Sequence, residues 1–251
     1  MLVMGILNVT PDSFADGGRH NDFAAAVARG LEMIAEGVDI IDIGGESTRP
    51  GAERVSEAEE LARTIPVIKE LAGRGVKISI DTMRASVAQA AINNGANIIN
   101  DVSGGLADPD MLATAARLKT PYIAMHWRGQ SKEMNALAVY ENVVDEVIAE
   151  LKVRINAALA AGITKENLII DPGLGFAKDA EHNWAIIDSI ARIVDLGYPV
   201  LVGASRKRFL GGDSPDEREQ ATIDLTRRLS TTGVWAVRVH SVKPHKEIVN
   251  I

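Results

Sequence analysis

The sequence contains no cysteine. That removes any disulfide framework, and with it thiolate nucleophiles and cysteine-held metals. It fits a reducing cytoplasm, the location expected for the chain. Aromatic residues are scarce at 4%, whereas hydrophobic residues make up 46%. The core must then consist mainly of Val, Ile, Leu and Ala, as in parallel sheets covered on both faces. An excess of positive charge is missing too: 27 Lys and Arg face 34 Asp and Glu, for a net charge of −7. Nucleic-acid surfaces carry a basic stripe, so no nucleic-acid partner is expected. No apolar run approaches the ~18 residues of a membrane span, so no membrane partner is expected either. Met1–Leu7 is apolar but lacks the basic flank and cleavage site of a signal peptide. Without such a signal, the acceptor-like triplet Asn8-Val9-Thr10 reads as coincidence.

What the chain has is a rhythm of short apolar runs that stop at polar residues. Val3–Leu7 stops at Asn8, Val38–Ile41 at Asp42, Ile78–Ile80 at Asp81, and Ile98–Ile99 at Asn100 and Asp101. Tyr122–Met125 stops at His126 and Leu168–Ile170 at Asp171. Val200–Val202 runs into Gly203, Ser205, Arg206 and Lys207, and Val237–Val239, broken by Arg238, stops at His240. Between these runs lie segments of helical period: Phe23–Glu36, Ala58–Ala72, Ala85–Asn94, Pro109–Leu118, Tyr140–Ala161, Ala180–Leu196, Asp216–Thr232 and a short Lys243–Val249. Gly37, Gly75, Gly95, Gly162 and Gly197 stand where helices end. Strand–helix alternation implies a parallel sheet. Eight such units in 251 residues predict a single-domain (β/α)8 TIM barrel over residues 1–251. An open doubly wound sheet would want a glycine fingerprint after its first strand, and Asn8-Val9-Thr10-Pro11-Asp12 is not one.

In such a barrel the strand C-termini and the loops after them form the active face. Asp81, Asn100 and Asp171 would line its floor, with acceptors suited to a flat heterocycle bearing an N–C–NH2 edge. Asp171-Pro-Gly-Leu-Gly-Phe176 combines a rigid turn, two glycines that let backbone approach a ligand, and a ring to cover it. Gly203-Ala-Ser-Arg-Lys-Arg208 follows the seventh strand, the commonest phosphate position of this fold. Arg238, His240 and Arg49 add further positive groups. Asn8 is a candidate Mg²⁺ ligand, since that ion takes few protein oxygens and completes its shell with phosphate and water. His126 reads as a packed histidine. His20, His182 and His245 read as surface residues, and Met33, Met83 and Met111 as core or helix face.

The motifs Met4–Phe14, Gly44–Gly51, Ser79–Thr82, Asn100–Val102, Asp171–Phe176, Gly203–Lys207 and Arg238–His240, in this order and over nearly the whole chain, resemble dihydropteroate synthase. Met125–Arg128 and Ser205–Phe209 resemble its actinobacterial branch. The resemblance implies condensation of 6-hydroxymethyl-7,8-dihydropterin pyrophosphate with p-aminobenzoate, giving 7,8-dihydropteroate and pyrophosphate, with Mg²⁺ required. It implies that the pterin meets Asp81, Asn100, Asp171 and Lys207, with Met125, Phe176 and Gly203 around it. Pyrophosphate would meet Arg238, His240 and Asn8, with Mg²⁺ near Asn8. Asp12, Phe14 and Asp16 of the first loop, and Thr48, Arg49 and Pro50 of the second, would close over the site and form the p-aminobenzoate pocket. Among these, Lys207, Arg238, His240, Asp12 and Asp16 are the expected catalytic residues. The resemblance also implies a cytoplasmic homodimer and a target of sulfonamides.

The chain departs from that pattern at Ser241, where the family usually has Asp after the eighth-strand His. The loop Gly211–Arg218 and the last helix are short. Ser241 motivates an alternative, a non-catalytic paralogue that binds pterin or pyrophosphate. A pterin-binding methyltransferase domain is a further alternative, although it would not need Gly203–Lys207 or the loops Thr10–Gly18 and Glu46–Gly51.

Overall fold

The computed structural model describes residues 1–10, 18–46, 54–130 and 136–249. Eight strands alternate with helices: β1 (Leu2–Asn8), α1 (Gly18–Ala35), β2 (Ile40–Gly44), α2 (Glu57–Leu71), β3 (Lys77–Asp81), α3 (Ala85–Asn93), β4 (Ile98–Asp101), α4 (Met111–Leu118) and β5 (Tyr122–Met125) come first. They are followed by α5 (Val143–Ala160), β6 (Leu168–Asp171), α6 (Ala180–Asp188), α7 (Ile190–Val194), β7 (Leu201–Val202), α8 (Glu219–Leu229), β8 (Ala236–Val239) and α9 (Lys243–Val249). The strands are all parallel, in the order β6-β5-β4-β3-β2-β1-β8-β7. A single parallel bridge between Ile170 and Val200 closes the ring. The architecture is the expected TIM barrel.

Side-chain direction along each strand decides what lies inside. Met4, Ile40, Ile98, Ile123, Ile169, Leu201 and Ala236 form a separate buried cluster within the ring. Successive residues alternate faces, so the residue two places on from each also points inward. Those residues are Ile6, Asp42, Asn100, Met125, Asp171, Gly203 and Arg238. The opposite parity, including Ile41, Ile43, Ile80, Ile99, Ala124, Ile170, Val202 and Val237, joins the large cluster packed under the helices. The barrel is thus apolar at its base and turns polar toward the C-terminal ends of its strands.

Local chemistry sets the helix boundaries. Ser56 and Asn142 each accept a hydrogen bond from the backbone N–H three residues on, Glu59 and Asp145. Such caps contribute about 1 kcal/mol each. The Asn142 cap starts α5 three residues later than its periodicity predicts. The predicted helix Ala180–Leu196 is two helices. The Ser189 N–H contacts the carbonyls of Ala185 and Ile186, at 3.1 and 3.2 Å, and the turn tightens there. That redirects Ile190 and Ile193 into the core. β2 starts two residues later and ends three residues later than its predicted span, so Asp42 sits inside the strand rather than after it.

Candidate active site

The inward parity brings the predicted floor together. Asp81, Asn100 and Asp171 are all buried at the C-terminal ends of β3, β4 and β6. Asp42, left out of the predicted floor, belongs with it: it is fully buried and accepts from Asn100 Nδ2 at 3.0 Å. Arg238 reaches across the barrel from β8. Its Nε donates to Asp42 Oδ2 at 2.6 Å and its Nη2 to Asp81 Oδ2 at 2.7 Å. Arg238 therefore bridges two carboxylates of the floor instead of standing apart in a cationic flank. The signal for Asp42 was present in the sequence, because it lies two residues after Ile40, in phase with Asn100 after Ile98.

Burial raises the Asp81 carboxyl to about 7, against the opposing pull of Arg238. Burial likewise raises Asp171, opposed by a hydrogen bond from the Gly173 N–H and by Lys207. An acid raised on folding contributes stability that is complete below its ordinary range and lost as pH climbs through the raised value. Asp81→Asn should therefore melt a few degrees above the native protein at about pH 8, with the gap closing near about pH 4. Thermal melts of both proteins across that range check this.

The loop after β6 is held from several sides. Gly173 N donates to Asp171 Oδ1 at 2.7 Å, and Gly175 N to Asn183 Oδ1 at 2.7 Å. Lys207 donates to the Leu174 carbonyl, and its ammonium lies 4.7 Å from the centre of the Phe176 ring. Burial lowers Lys207 to about 8, although Asp171 and Asp81 favour its charge. Gly173 has φ +67, and a Cβ there would sit 2.3 Å from the His126 carbonyl oxygen. Gly173→Ala should cost ~2 kcal/mol or more through strain and displaced backbone. A fall of about 4 °C or more in melting temperature would be the readout.

His240 is fixed at Nδ1 by the Ser205 hydroxyl, 2.9 Å away. Ser205 Oγ also accepts from the His240 N–H at 3.2 Å. Ser241 plays no part in these two contacts; its Oγ accepts from Arg206 Nη2 at 3.0 Å. Arg206 is held by Glu219 at 2.8 Å, so of the basic cluster only Lys207 enters the floor. Arg208 is exposed. Asn8 ends β1 beside Gly44 and Asp81: a Cβ on Gly44 would lie 3.7 Å from Asn8 Oδ1 and 3.6 Å from Asp81 Oδ2.

Met125 and Phe176 pack with Met83 and Val102, and with Ala107 and Trp127, as an apolar wall over the floor. Met83, Val102 and Trp127 were not anticipated there. Met33 and Met111 are core residues as predicted. His126 is packed, but His245 is not a surface residue. It is fully buried and shares a hydrogen bond with Thr226 at 2.8 Å. His182 closes a capping box with Asp179. Asp12, Phe14, Asp16, Thr48, Arg49 and Pro50 lie outside the described residues. At the base of the second loop, Arg84 donates to Glu46 at 2.9 Å and to Glu60 and the Val55 carbonyl.

Among the described residues, no helix is long and apolar enough to cross a membrane. The sequence matches the pterin binding enzyme family over residues 4–240. The dihydropteroate synthase of Mycobacterium leprae is 49% identical over 259 residues, covering 99% of this chain and 91% of that one. Two solved structures of Xanthomonas albilineans dihydropteroate synthase superimpose closely. One, with 4-aminobenzoic acid, has a TM-score of 0.93 at 42% identity and covers 99% of this chain and 90% of that one. The other, in complex with 7,8-dihydropteroate, has a TM-score of 0.90 at 40% identity and covers 99% and 91%.

Proposed function

The chain belongs to the dihydropteroate synthase family of pterin-binding enzymes, and from that premise we propose how its residues join 6-hydroxymethyl-7,8-dihydropterin pyrophosphate to p-aminobenzoate. One observation carries the reading: Asp81, Asn100 and Asp171 converge at the barrel mouth beside Lys207. Asp171 accepts from the amino-pyrimidine edge of the pterin, and Asn100 and Asp81 bind its remaining polar edge. Met125 and Phe176 cover the ring, and the small Gly203 leaves room for it. Arg238 and His240 then face the pyrophosphate.

The C–O bond to pyrophosphate breaks with its electron pair leaving on the phosphate oxygen. The arylamine nitrogen attacks the methylene carbon, forms the C–N bond and loses a proton. This is electrostatic catalysis, in which donors fixed in advance meet charge as it develops. No protein nucleophile is needed. The first and second loops, with Asp12, Phe14, Asp16, Thr48, Arg49 and Pro50, complete the arylamine pocket and exclude water, which would otherwise capture the electrophilic carbon.

The donor chemistry fits a Mg²⁺ ion carried mainly by the substrate. Among the described residues no group of three or more His, Asp or Glu side chains could cage a metal. Mg²⁺ commonly uses one or two protein groups plus phosphate and water, and the Asn8 amide oxygen is one such group. When bound, it would neutralise charge on the departing pyrophosphate.

Ser241 gives the non-catalytic alternative little support, because Ser205 rather than residue 241 holds His240. The methyltransferase alternative is set aside by the named relatives. A homodimer in the cytoplasm, inhibited by sulfonamides in competition with p-aminobenzoate, belongs to the same proposal. Folded protein given both substrates and Mg²⁺ should form dihydropteroate, and chelation of the metal should abolish it. No product from folded protein would refute the assignment; product undiminished by chelation would remove Mg²⁺ from it.

A further inference from the structure

We propose that Lys178 is a positioning residue for the pterin pocket, holding the loop after β6 in the shape that places Phe176 and, through the Leu174 carbonyl, Lys207. This rests on the reading of that pocket as the pterin site. Lys178 lies outside the floor, behind the loop, and is buried. Its ammonium donates to the carbonyls of Gly173 and Phe176, both at 3.0 Å, and to His126 Nδ1 at 2.8 Å. Three protons therefore meet three acceptors, which exhausts the donor capacity of the group.

None of the three acceptors is charged, so among the described residues the cation is buried without a carboxylate in hydrogen-bond contact. Such a group is costly to retain, and burial pushes it down to about 7. Its geometry accounts for its presence. The loop carbonyls of Gly173 and Phe176 turn away from the pocket toward one point, and a single ammonium can meet both. The Leu174 carbonyl between them turns the other way and receives Lys207. Gly173 and Gly175 take φ of +67 and +76 without strain, and the Phe176 N–H meets the Gly173 carbonyl at 3.1 Å; the cost falls on Ala177, a residue with a Cβ held at φ +48.

The acceptor on His126 is prepared in turn. His126 Nε2 lies 2.9 Å from Glu150 Oε2, which fixes the proton on that nitrogen and leaves Nδ1 free to accept. Burial and the Lys178 charge hold His126 neutral, down to about 4. Glu150 is itself gripped by Arg128, which stacks 3.8 Å from the centre of the Tyr140 ring. Tyr140 donates to the Ala177 carbonyl at 3.0 Å. The side-chain network thus begins and ends on the same loop, and it reaches the floor through the His126 N–H, which donates to the Asp171 carbonyl at 2.8 Å.

The test is steady-state kinetics on Lys178→Met, which keeps the stem and removes the donors. The Michaelis constant for the pterin pyrophosphate should rise about tenfold or more, while that for p-aminobenzoate moves less than about twofold. Lys178→Arg should recover part of the loss. A purely structural role would lower the amount of active enzyme without raising one constant alone. If Lys178→Met does not fold, His126→Gln removes one acceptor from the same network and should show the same one-sided change. Unchanged constants, or constants that rise together, overturn the proposal. Native protein that fails to turn over at all overturns the functional reading instead.

Discussion

Lys207→Ala should lower dihydropteroate formation by about 10²–10³-fold or more, with the melting temperature unchanged or raised. Both halves follow from the position of this ammonium. It is gathered among Asp171, Arg238 and Asp81, with burial as the dominant influence, and its value falls to about 8. A base depressed on folding is one whose charge the fold disfavours, so it contributes no net stability near neutral pH. Removing it relieves that burden and loses the bond to the Leu174 carbonyl, the packing of the stem against Gly175 and the contact of the ammonium with the Phe176 ring. Lys207→Met keeps most of that packing and should be the more stable of the two variants. Arginine should not restore activity, because the ammonium is a compact charge seated against one carbonyl and one ring face. Turnover and thermal melts on the same preparations provide the check. Near-native turnover in Lys207→Ala would remove it from the site.

The barrel was legible because its strands are short, apolar and evenly spaced. The floor was legible because Asp81, Asn100 and Asp171 each follow an isoleucine-rich run. Direction was legible only from phase, not from the strand end alone. A polar residue after a strand can point inward or outward, and only its phase against the buried base decides. Asp101 has the outward phase, so its carboxylate accepts from Ser103, Gly105 and Tyr122 behind the sheet. His126 also points outward, to Glu150 and Lys178. Asp42 has the inward phase but sits inside β2, so an eye on strand ends passes it over. Long-range pairs were hidden for a different reason. Ser205 against His240 and Lys178 against His126 are 35 and 52 residues apart in sequence, and no local pattern links them.

Ser241 illustrates the same limit. Next to His240 in sequence, it suggests a weakened support for that ring. In the barrel, consecutive residues at a strand end diverge, and Ser241 turns to Arg206 while His240 turns to Ser205. The support for His240 therefore comes from the loop after β7, which also carries Lys207. Sequence adjacency is a poor guide to partnership at the end of a strand.

Asp171→Asn should weaken binding of the pterin pyrophosphate by about 10²–10³-fold, more than the loss of one neutral hydrogen bond would give. The reason is orientation. Gly173 N–H points at Asp171 Oδ1 from 2.7 Å, so an asparagine there must place its oxygen toward Gly173. Its NH2 then faces the pocket, where the pterin edge presents donors. The substitution replaces an acceptor by a donor and sets two N–H groups against each other in a buried site, each unsatisfied. The fold itself should tolerate the change, since burial already raises the Asp171 carboxyl above its usual range and an uncharged side chain suits that environment. Calorimetric titration with the pterin pyrophosphate, alongside a thermal melt, separates the two effects. Unchanged affinity would mean that Asp171 only ties the loop. Weakened affinity in a protein that melts no lower than native would place the carboxylate against the substrate.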